Sequence, residues 1–305
     1  MTPPLHSGAL AALVALQHPA RRFSLKRLGQ HRVQGVSGHT PRLRGRGMTF
    51  EEHRAYAAGD EPRFIDWRVT ARTGDMHIKI FREEHERPVL LLADVRPGMC
   101  FGTQRQFKST LAAHACALLG WTAAHSRERI GGVICANALM ESAPHGGAHG
   151  VLRWANGVAA GMEAAAAATQ GAETPPSLQR SLLALRALAR PGTIVVVASD
   201  FADLDAAAEA TLQDIARHTQ VICLVISDPL ETAPPLAGPL PLRQGEQTLW
   251  VDFRDTDIRA HWTQHFVRRQ QRVDALIRRI RAIGIPLSTA ADATEQLRPW
   301  LALRR

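Results

Sequence analysis

Lysine is nearly missing from this chain: of 37 basic residues, three are lysine (Lys26, Lys79, Lys108) and 34 are arginine. With alanine abundant as well, this is the compositional bias of a GC-rich genome. It weakens the first inference that a net charge of +9 invites, a nucleic-acid binder. Acidic residues are missing from residues 1–50, which hold eight basic ones, while the rest of the chain carries 29 basic against 28 acidic. The excess charge is therefore a local arm on a nearly neutral body. Long apolar runs are missing too, and none approaches the roughly 20 residues that span a bilayer. Residues 8–16 are followed rather than preceded by basic residues, the reverse of a signal peptide. These absences predict a cytoplasmic protein with no transmembrane segment. The four cysteines (Cys100, Cys116, Cys135, Cys223) form no C-x-x-C pair, so they predict reduced thiols in or near a core rather than a metal site.

Several catalytic signatures are also missing. There is no G-x-x-x-x-G-K-[ST] loop to cradle nucleotide phosphates, and Gly45-x-Gly47 lacks the third glycine and the preceding strand of a dinucleotide site. No G-x-S-x-G nucleophile elbow occurs. His261 and His265 share a helix face, but no glutamate follows His261 to make a zincin motif. The chain has no equipment of its own for ATP hydrolysis.

What is present changes character near Arg87. Three segments result: a basic, largely irregular N-terminal extension (1–46), a charged and aromatic segment (47–86), and an α/β domain (87–305). In the last, all-apolar runs at 88–94, 193–200 and 221–227 read as strands buried on both faces, and each ends at or beside an acid. Residues 130–136, 138–143, 248–252 and 285–289 read as further strands. Helical spacing covers 104–127, 151–169, 177–190, 204–218, 256–283 and 292–303, with Gly284 as a helix stop and Asp292 as an N-cap. The five prolines of 229–245 read as a loop. The alternation predicts a doubly wound, mostly parallel sheet with helices on both faces. Such folds bind ligands beyond the carboxyl ends of the strands, which puts Asp94 and Asp200 first as candidate site residues.

Within 47–86, Glu52, Arg54, Asp60, Arg63, Asp66 and Arg72 alternate in sign around Tyr56 and Trp67. Opposite charges on an aromatic frame predict a hydrogen-bonded arginine–carboxylate network that fixes an irregular segment. Two roles stay open for it: a clamp onto the sheet, or a recognition surface. The stretches 47-GMTFEEHRAYAAGDEPRFIDWRVTAR-72 and 88-PVLLLADVRPGMCFGT-103, with Ser199-Asp200-Phe201, resemble the bacterial domain-of-unknown-function family 58, whose C-terminal part is a von Willebrand factor A-like domain of Rossmann-like topology. The resemblance runs from about Arg42 to the C-terminus. It implies a protein that acts beside a MoxR-type AAA+ ATPase and its client proteins, as adaptor or accessory in complex assembly or activation.

It also implies a metal-ion-dependent adhesion site, where Asp-x-Ser-x-Ser, a distant threonine and a later aspartate hold Mg²⁺ for a partner's carboxylate to complete. Here that motif is degenerate. Asp94 keeps the acid, but Arg96 and Gly98 stand where the serines would be, so two hydroxyl ligands are lost and a permanent cation is added. The expectation is no cofactor, with Mg²⁺ binding at Asp94 and Asp200 doubtful. Two readings of Arg96 follow. Either it stands in for the metal, pairing with Asp94 or Asp200 and offering its remaining donors to a carboxylate, or it merely neutralises a dead site. Asp94, Arg96, Gly98 and Asp200 form the candidate partner-binding set, with no catalytic residue assigned.

The arm (Arg21, Arg22, Lys26, Arg27, Arg32, Arg42, Arg44, Arg46) leaves three readings open: a solvated or core-packed segment, a contact for an acidic protein, or a contact for nucleic acid or anionic lipid. Phe23 is its only aromatic before Phe50, so stacking platforms for single strands are absent and no nucleic acid is expected. The leading expectation is a non-enzymatic interaction protein. The alternatives are a metal-assisted hydrolase at the strand-end acids, or nucleic-acid binding through the arm.

Overall fold

The computed structural model describes residues 8–25, 48–57, 60, 62, 65–83, 87–167, 174–236, 238–244 and 247–302. The chain divides into two compact units, Met1–Gly35 with Arg87–Arg305, and Val36–Glu86. In chain order the helices are α1 Ala9–Ala15, α2 Gln17–Ala20, α3 Trp67–Thr73, α4 Lys108–His125, α5 Gly147–Ala167, α6 Leu178–Leu188, α7 Ala206–Ala216, α8 Pro229–Thr232, α9 Thr256–Arg279 and α10 Ala293–Leu301. The strands are β1 Met48–Ala55, β2 His77–Glu83, β3 Val89–Asp94, β4 Arg129–Cys135, β5 Leu139–Gly146, β6 Ile194–Ser199, β7 Gln220–Ser227, β8 Pro239–Gln244, β9 Gln247–Asp252 and β10 Ile283–Ser288.

The larger unit is built on a six-stranded sheet of order β10-β7-β6-β3-β4-β5, parallel throughout except for the antiparallel edge strand β5. This is the mixed α/β, Rossmann-like architecture that the alternating pattern predicts. Every residue of β3 and β6 is buried. Along them the side chains alternate between two cores. Val89, Leu91 and Ala93 join Val196 and Leu224 beneath α4, α5 and α10, while Leu90 and Leu92 join Val195 and Val197 beneath α6, α7 and α9. Two buried indoles are satisfied by backbone: Trp121 donates to Leu13 O at 2.9 Å and Trp154 to Leu91 O at 3.3 Å. At the irregularity between β4 and β5, Gly132 takes φ 147°, and a Cβ there would collide with the Leu91 carbonyl.

Three sequence expectations need correction. The irregular N-terminal extension does not describe residues 9–25. Leu13, Ala20, Phe23 and Leu25 are buried in the core, Phe23 bridges to Ala302, and Ser24 N donates to Leu301 O at 2.9 Å. Apolar residues override the surrounding basic composition there. Residues 26–47, with Lys26, Arg27, Arg32, Arg42, Arg44 and Arg46, lie outside the described residues. The proline-rich loop contains a helical turn (α8) and a strand (β8) that, among the described residues, pairs only with β9. A two-stranded ribbon has two open edges, where a missing N–H is tolerated. Lastly, Gly284 does not stop α9 but lies in β10. The stop is Arg281, at φ 54°, which takes the left-handed conformation usually left to glycine while Ala282 N donates back to Ile277 O.

The smaller unit carries the antiparallel pair β1–β2 and helix α3, in a segment whose sequence shows no strand-and-helix rhythm. Asp66 caps α3, accepting from Arg68 N and Val69 N, and its own N–H donates to His77 O at 2.8 Å. Thr70 Oγ1 accepts from His77 N at 3.1 Å, which ties α3 to β2.

Candidate functional site at the strand ends

Numbered by chain order within the sheet, the six strands run 3-2-1-4-5-6, so the direction of travel reverses between β3 and β6. Asp94 ends β3, Ser199 ends β6 with Asp200 directly after it, and Asp228 follows β7. Three acids thus stand at the carboxyl edge of adjacent strands. Each is bound by groups of the same chain, through a different chemistry.

Asp94 is fully buried. Arg96 grips it with two arms, Nε to Oδ1 at 2.8 Å and Nη2 to Oδ2 at 2.7 Å, and Ser199 Oγ donates to Oδ2 at 2.7 Å. The same guanidinium grips Asp203, Nη1 to Oδ2 at 2.6 Å and Nη2 to Oδ1 at 2.9 Å, and Nη1 also donates to Pro176 O at 3.2 Å. All five N–H bonds are thereby engaged within the chain. Burial works against the charge on Arg96, but hydrogen bonds to Asp94 and Asp203 outweigh it and raise its pKa. Burial likewise opposes ionisation of Asp203, and hydrogen bonds from Arg96 and the Leu178 amide overcome it, so its pKa is lowered.

Asp200 is held by a second cation. Lys108, at the start of α4, donates to its Oδ2 at 2.5 Å and to Glu231 Oε1 at 3.2 Å, with the Phe101 ring 5.5 Å away. Arg269 reaches from α9 to the same Glu231 oxygen at 2.8 Å. Burial lowers the pKa of Lys108, and the charges of Asp200 and Glu231 more than reverse that, leaving it raised. Among the described residues Asp228 is paired with no cation. It accepts from Thr103 N (2.8 Å), Thr103 Oγ1 (2.6 Å), Thr289 Oγ1 (2.5 Å) and Leu230 N (2.9 Å). Burial opposes its ionisation, and these donors keep its pKa below the ordinary carboxylate value. Asp228 and Glu231 also form the reciprocal capping box of α8.

The structure brings Asp94 and Arg96 together as a pair. It does not join Arg96 to Asp200, which belongs to Lys108. Gly98 lies exposed in the 3-10 turn Pro97–Met99, with open space where a Cβ would stand. The residues at this edge do not suit a hexacoordinate Mg²⁺. Both oxygens of Asp94 are occupied, a guanidinium holds the position of the first serine, and Gly98 has no ligand atom. Ser177 caps α6, where its Oγ accepts from Arg180 N, and Thr174 is exposed. Among the described residues no group of three His, Cys, Asp or Glu is placed to hold a metal.

In the smaller unit, Arg54 Nη2 contacts both oxygens of Asp60, at 2.8 and 3.0 Å, and Ala57 N donates to Asp60 Oδ2 at 2.8 Å. Tyr56 N donates to Met76 O at 2.8 Å. Glu52 lies on β1 opposite Ile80, and Arg72 is exposed on α3. Trp67 is 67% exposed, so the frame orders the backbone and leaves its largest ring in solvent. Arg63 lies outside the described residues.

Sequence reasoning missed Asp203 and Lys108. The signal for Asp203 was a second acid three residues beyond Asp200. For Lys108 it was a lone lysine, among 34 arginines, opening an otherwise apolar helix.

Several known proteins are similar to this chain. "Uncharacterized protein Rv1480" of Mycobacterium tuberculosis and "Uncharacterized protein Mb1516" of Mycobacterium bovis are each 29% identical over 281 residues, covering 90% of this chain and 83% of theirs. Among solved structures, the conserved hypothetical protein BatB from Bacteroides thetaiotaomicron matches 69% of this chain and 93% of its own at 12% identity, TM-score 0.40. An uncharacterized membrane spanning protein from Vibrio fischeri matches 64% and 99% at 17% identity, TM-score 0.21. No helix among the described residues is long and apolar enough to cross a membrane. The family described as "Protein of unknown function DUF58" matches residues 52–273, and the chain belongs to it.

Proposed function

We propose that this chain is a protein-interaction module rather than an enzyme, an adaptor or accessory partner of a MoxR-type AAA+ ATPase and its clients. In this reading the sheet domain is von Willebrand factor A-like, and its carboxyl edge is the contact surface. The observation that carries the proposal is the two-armed Arg96–Asp94 pair at the switch point. The guanidinium takes up, without a metal, the position beside the strand-end acids at that edge. The motif residues Arg54, Asp60 and Asp66 support the same reading, because they order a surface that presents Trp67 and Arg72 outward.

The test is capture of the purified MoxR-type ATPase from the same genome. Gly98→Arg is the informative variant, because a Cβ there meets no atom within 4 Å and the residue is two positions from Arg96. It should abolish capture, while Arg217→Glu, on an exposed side chain of the larger unit, should not. Equal capture by wild type and Gly98→Arg would remove this edge as the contact. No capture by wild type would remove the ATPase as partner.

A further inference from the structure

The two edges of the β8–β9 ribbon differ. Prolines stand at 239 and 241 of β8, opposite Asp252 and Trp250 of β9. A proline has no N–H, so an unbroken antiparallel ladder through both puts them where main-chain groups point away from the neighbouring strand. Leu240 and Leu242 then exchange the ladder bonds with Val251 and Leu249, and Thr248, Trp250 and Asp252 turn their N–H and C=O groups outward along β9. The β8 edge thereby lacks two donors, which closes it to a further strand. The β9 edge keeps its donors. It holds no proline, lysine or arginine, and its register runs without a shift. Beyond the ribbon itself, no described residue hydrogen-bonds the main chain of Thr248 or Trp250, while Asp252 O accepts from Asp255 N at 3.3 Å. The ribbon is anchored from one face: Leu240, Leu242 and Val251 pack with Leu230, Phe253 and Trp262, and Trp262 Nε1 donates to Leu230 O at 2.9 Å. At the open edge Leu249 and Trp250 are 66% and 64% exposed.

We infer that a second copy of this chain pairs with the β9 edge, antiparallel, about a two-fold axis at Trp250. When a strand pairs antiparallel with itself, one residue lies opposite its own counterpart, and the outward set of Thr248, Trp250 and Asp252 is centred on Trp250. The N–H and C=O of Trp250 then meet those of its counterpart, and those of Thr248 meet those of Asp252 in the second copy. The side chains suit this register. Trp250 faces a neutral ring like itself, Leu249 lies opposite Val251, and the Thr248 hydroxyl lies opposite the Asp252 carboxylate. No charge opposes a like charge. Two ribbons, each of which buries little alone, become one four-stranded sheet. The inference concerns assembly of the chain with itself and does not depend on the ATPase reading.

Sedimentation velocity of the full chain over a concentration series tests it. The mean mass should climb from one chain toward two as concentration rises. Trp250→Lys puts two cations face to face on the axis, and Trp250→Glu two anions. Each variant alone should keep the mass of one chain, and an equal mixture of the two should regain the mass of a pair. Thr248→Pro copies the device of β8. It removes an outward N–H, keeps the Trp250 ring, and should weaken the association about tenfold or more. It also replaces the charged variants if either fails to fold. Leu183→Lys, at an exposed side chain of α6, should leave the association unchanged. A single-chain mass at every concentration overturns the inference. So does a dimer that Trp250→Lys and Thr248→Pro leave intact, and absence of rescue on mixing overturns the axis at Trp250. A single-chain wild type whose ATPase capture is lost in Thr248→Pro would overturn self-pairing and assign the edge to a strand of that partner.

Discussion

Arg96 and Asp94 meet as a two-armed pair, Nε to Oδ1 at 2.8 Å and Nη2 to Oδ2 at 2.7 Å, on a carboxylate with no exposed surface. The pair is only two residues apart in sequence, so the turn that ends β3 also closes it. A buried pair of this kind adds little over a well-packed apolar substitute, but breaking it strands a charge. Arg96→Met should therefore lower unfolding free energy by about 3–5 kcal/mol in urea titrations. The double variant Asp94→Asn/Arg96→Met should lose less than Arg96→Met alone. A larger loss in the double variant would contradict the pairing.

Stability should depend on pH at both ends. The lowered pKa values of Asp203 and Asp228 mean that the folded chain binds fewer protons than the unfolded chain in acid. Their stabilisation is complete above the unfolded value near 3.9 and is lost as pH falls through the folded values. Asp228→Asn should flatten the acid limb of a urea-stability profile between about pH 5 and pH 2. Lys108 has the opposite sign. Its raised pKa gives stabilisation that is present below the unfolded value near 10.4 and lost as pH rises through the folded one. Lys108→Met should remove that alkaline loss.

The thiols should be quiet in the native state. Burial pushes Cys135 and Cys223 up to about 12 and raises Cys116 as well, and none of the three is exposed. Only Cys100 is partly accessible, and burial raises it too. Titration with an aromatic disulfide at pH 8 should find at most one reactive thiol in folded protein and all four after unfolding. Rapid reaction of a second thiol in the folded protein would contradict this burial.

Asp66 and Trp67 are adjacent but should behave differently. Asp66→Ala removes a helix N-cap and should cost about 1 kcal/mol. Trp67→Ala, at a side chain 67% exposed, should change stability by less than about 0.5 kcal/mol. If Trp67→Ala also weakens ATPase capture, the motif segment acts as a recognition surface. If capture is unchanged, the segment serves only to order itself.

The sheet was legible because β3, β6 and β7 are buried on both faces, so their residues are apolar at nearly every position and their ends are marked by acids. The β1–β2 pair was not legible. A two-stranded ribbon buries too little to impose alternation, and Glu51, Glu52, His53 and Arg54 hide the strand. The left-handed Arg281 was hidden because Gly284, three residues on, offered a more plausible helix stop. At the site, Asp94 could be found as a strand-end acid, and Arg96 from the resemblance of 88–103 to the family's motif. Asp203 could not, because its role depends on a guanidinium 107 residues away along the chain. Lys108 is separated from Asp200 by 92 residues, and only the packed fold brings them together.

The central claim is that Arg96 occupies the cation position at the end of β3. Titration with Mg²⁺, followed by the amide resonances of Asp94, Arg96 and Ser199 and by thermal unfolding, tests it most directly. The account predicts no saturable shift and no rise in Tm at millimolar Mg²⁺ for the wild type. A saturable shift at Asp94 with a parallel rise in Tm would show that a metal enters beside or in place of the guanidinium, and would contradict it.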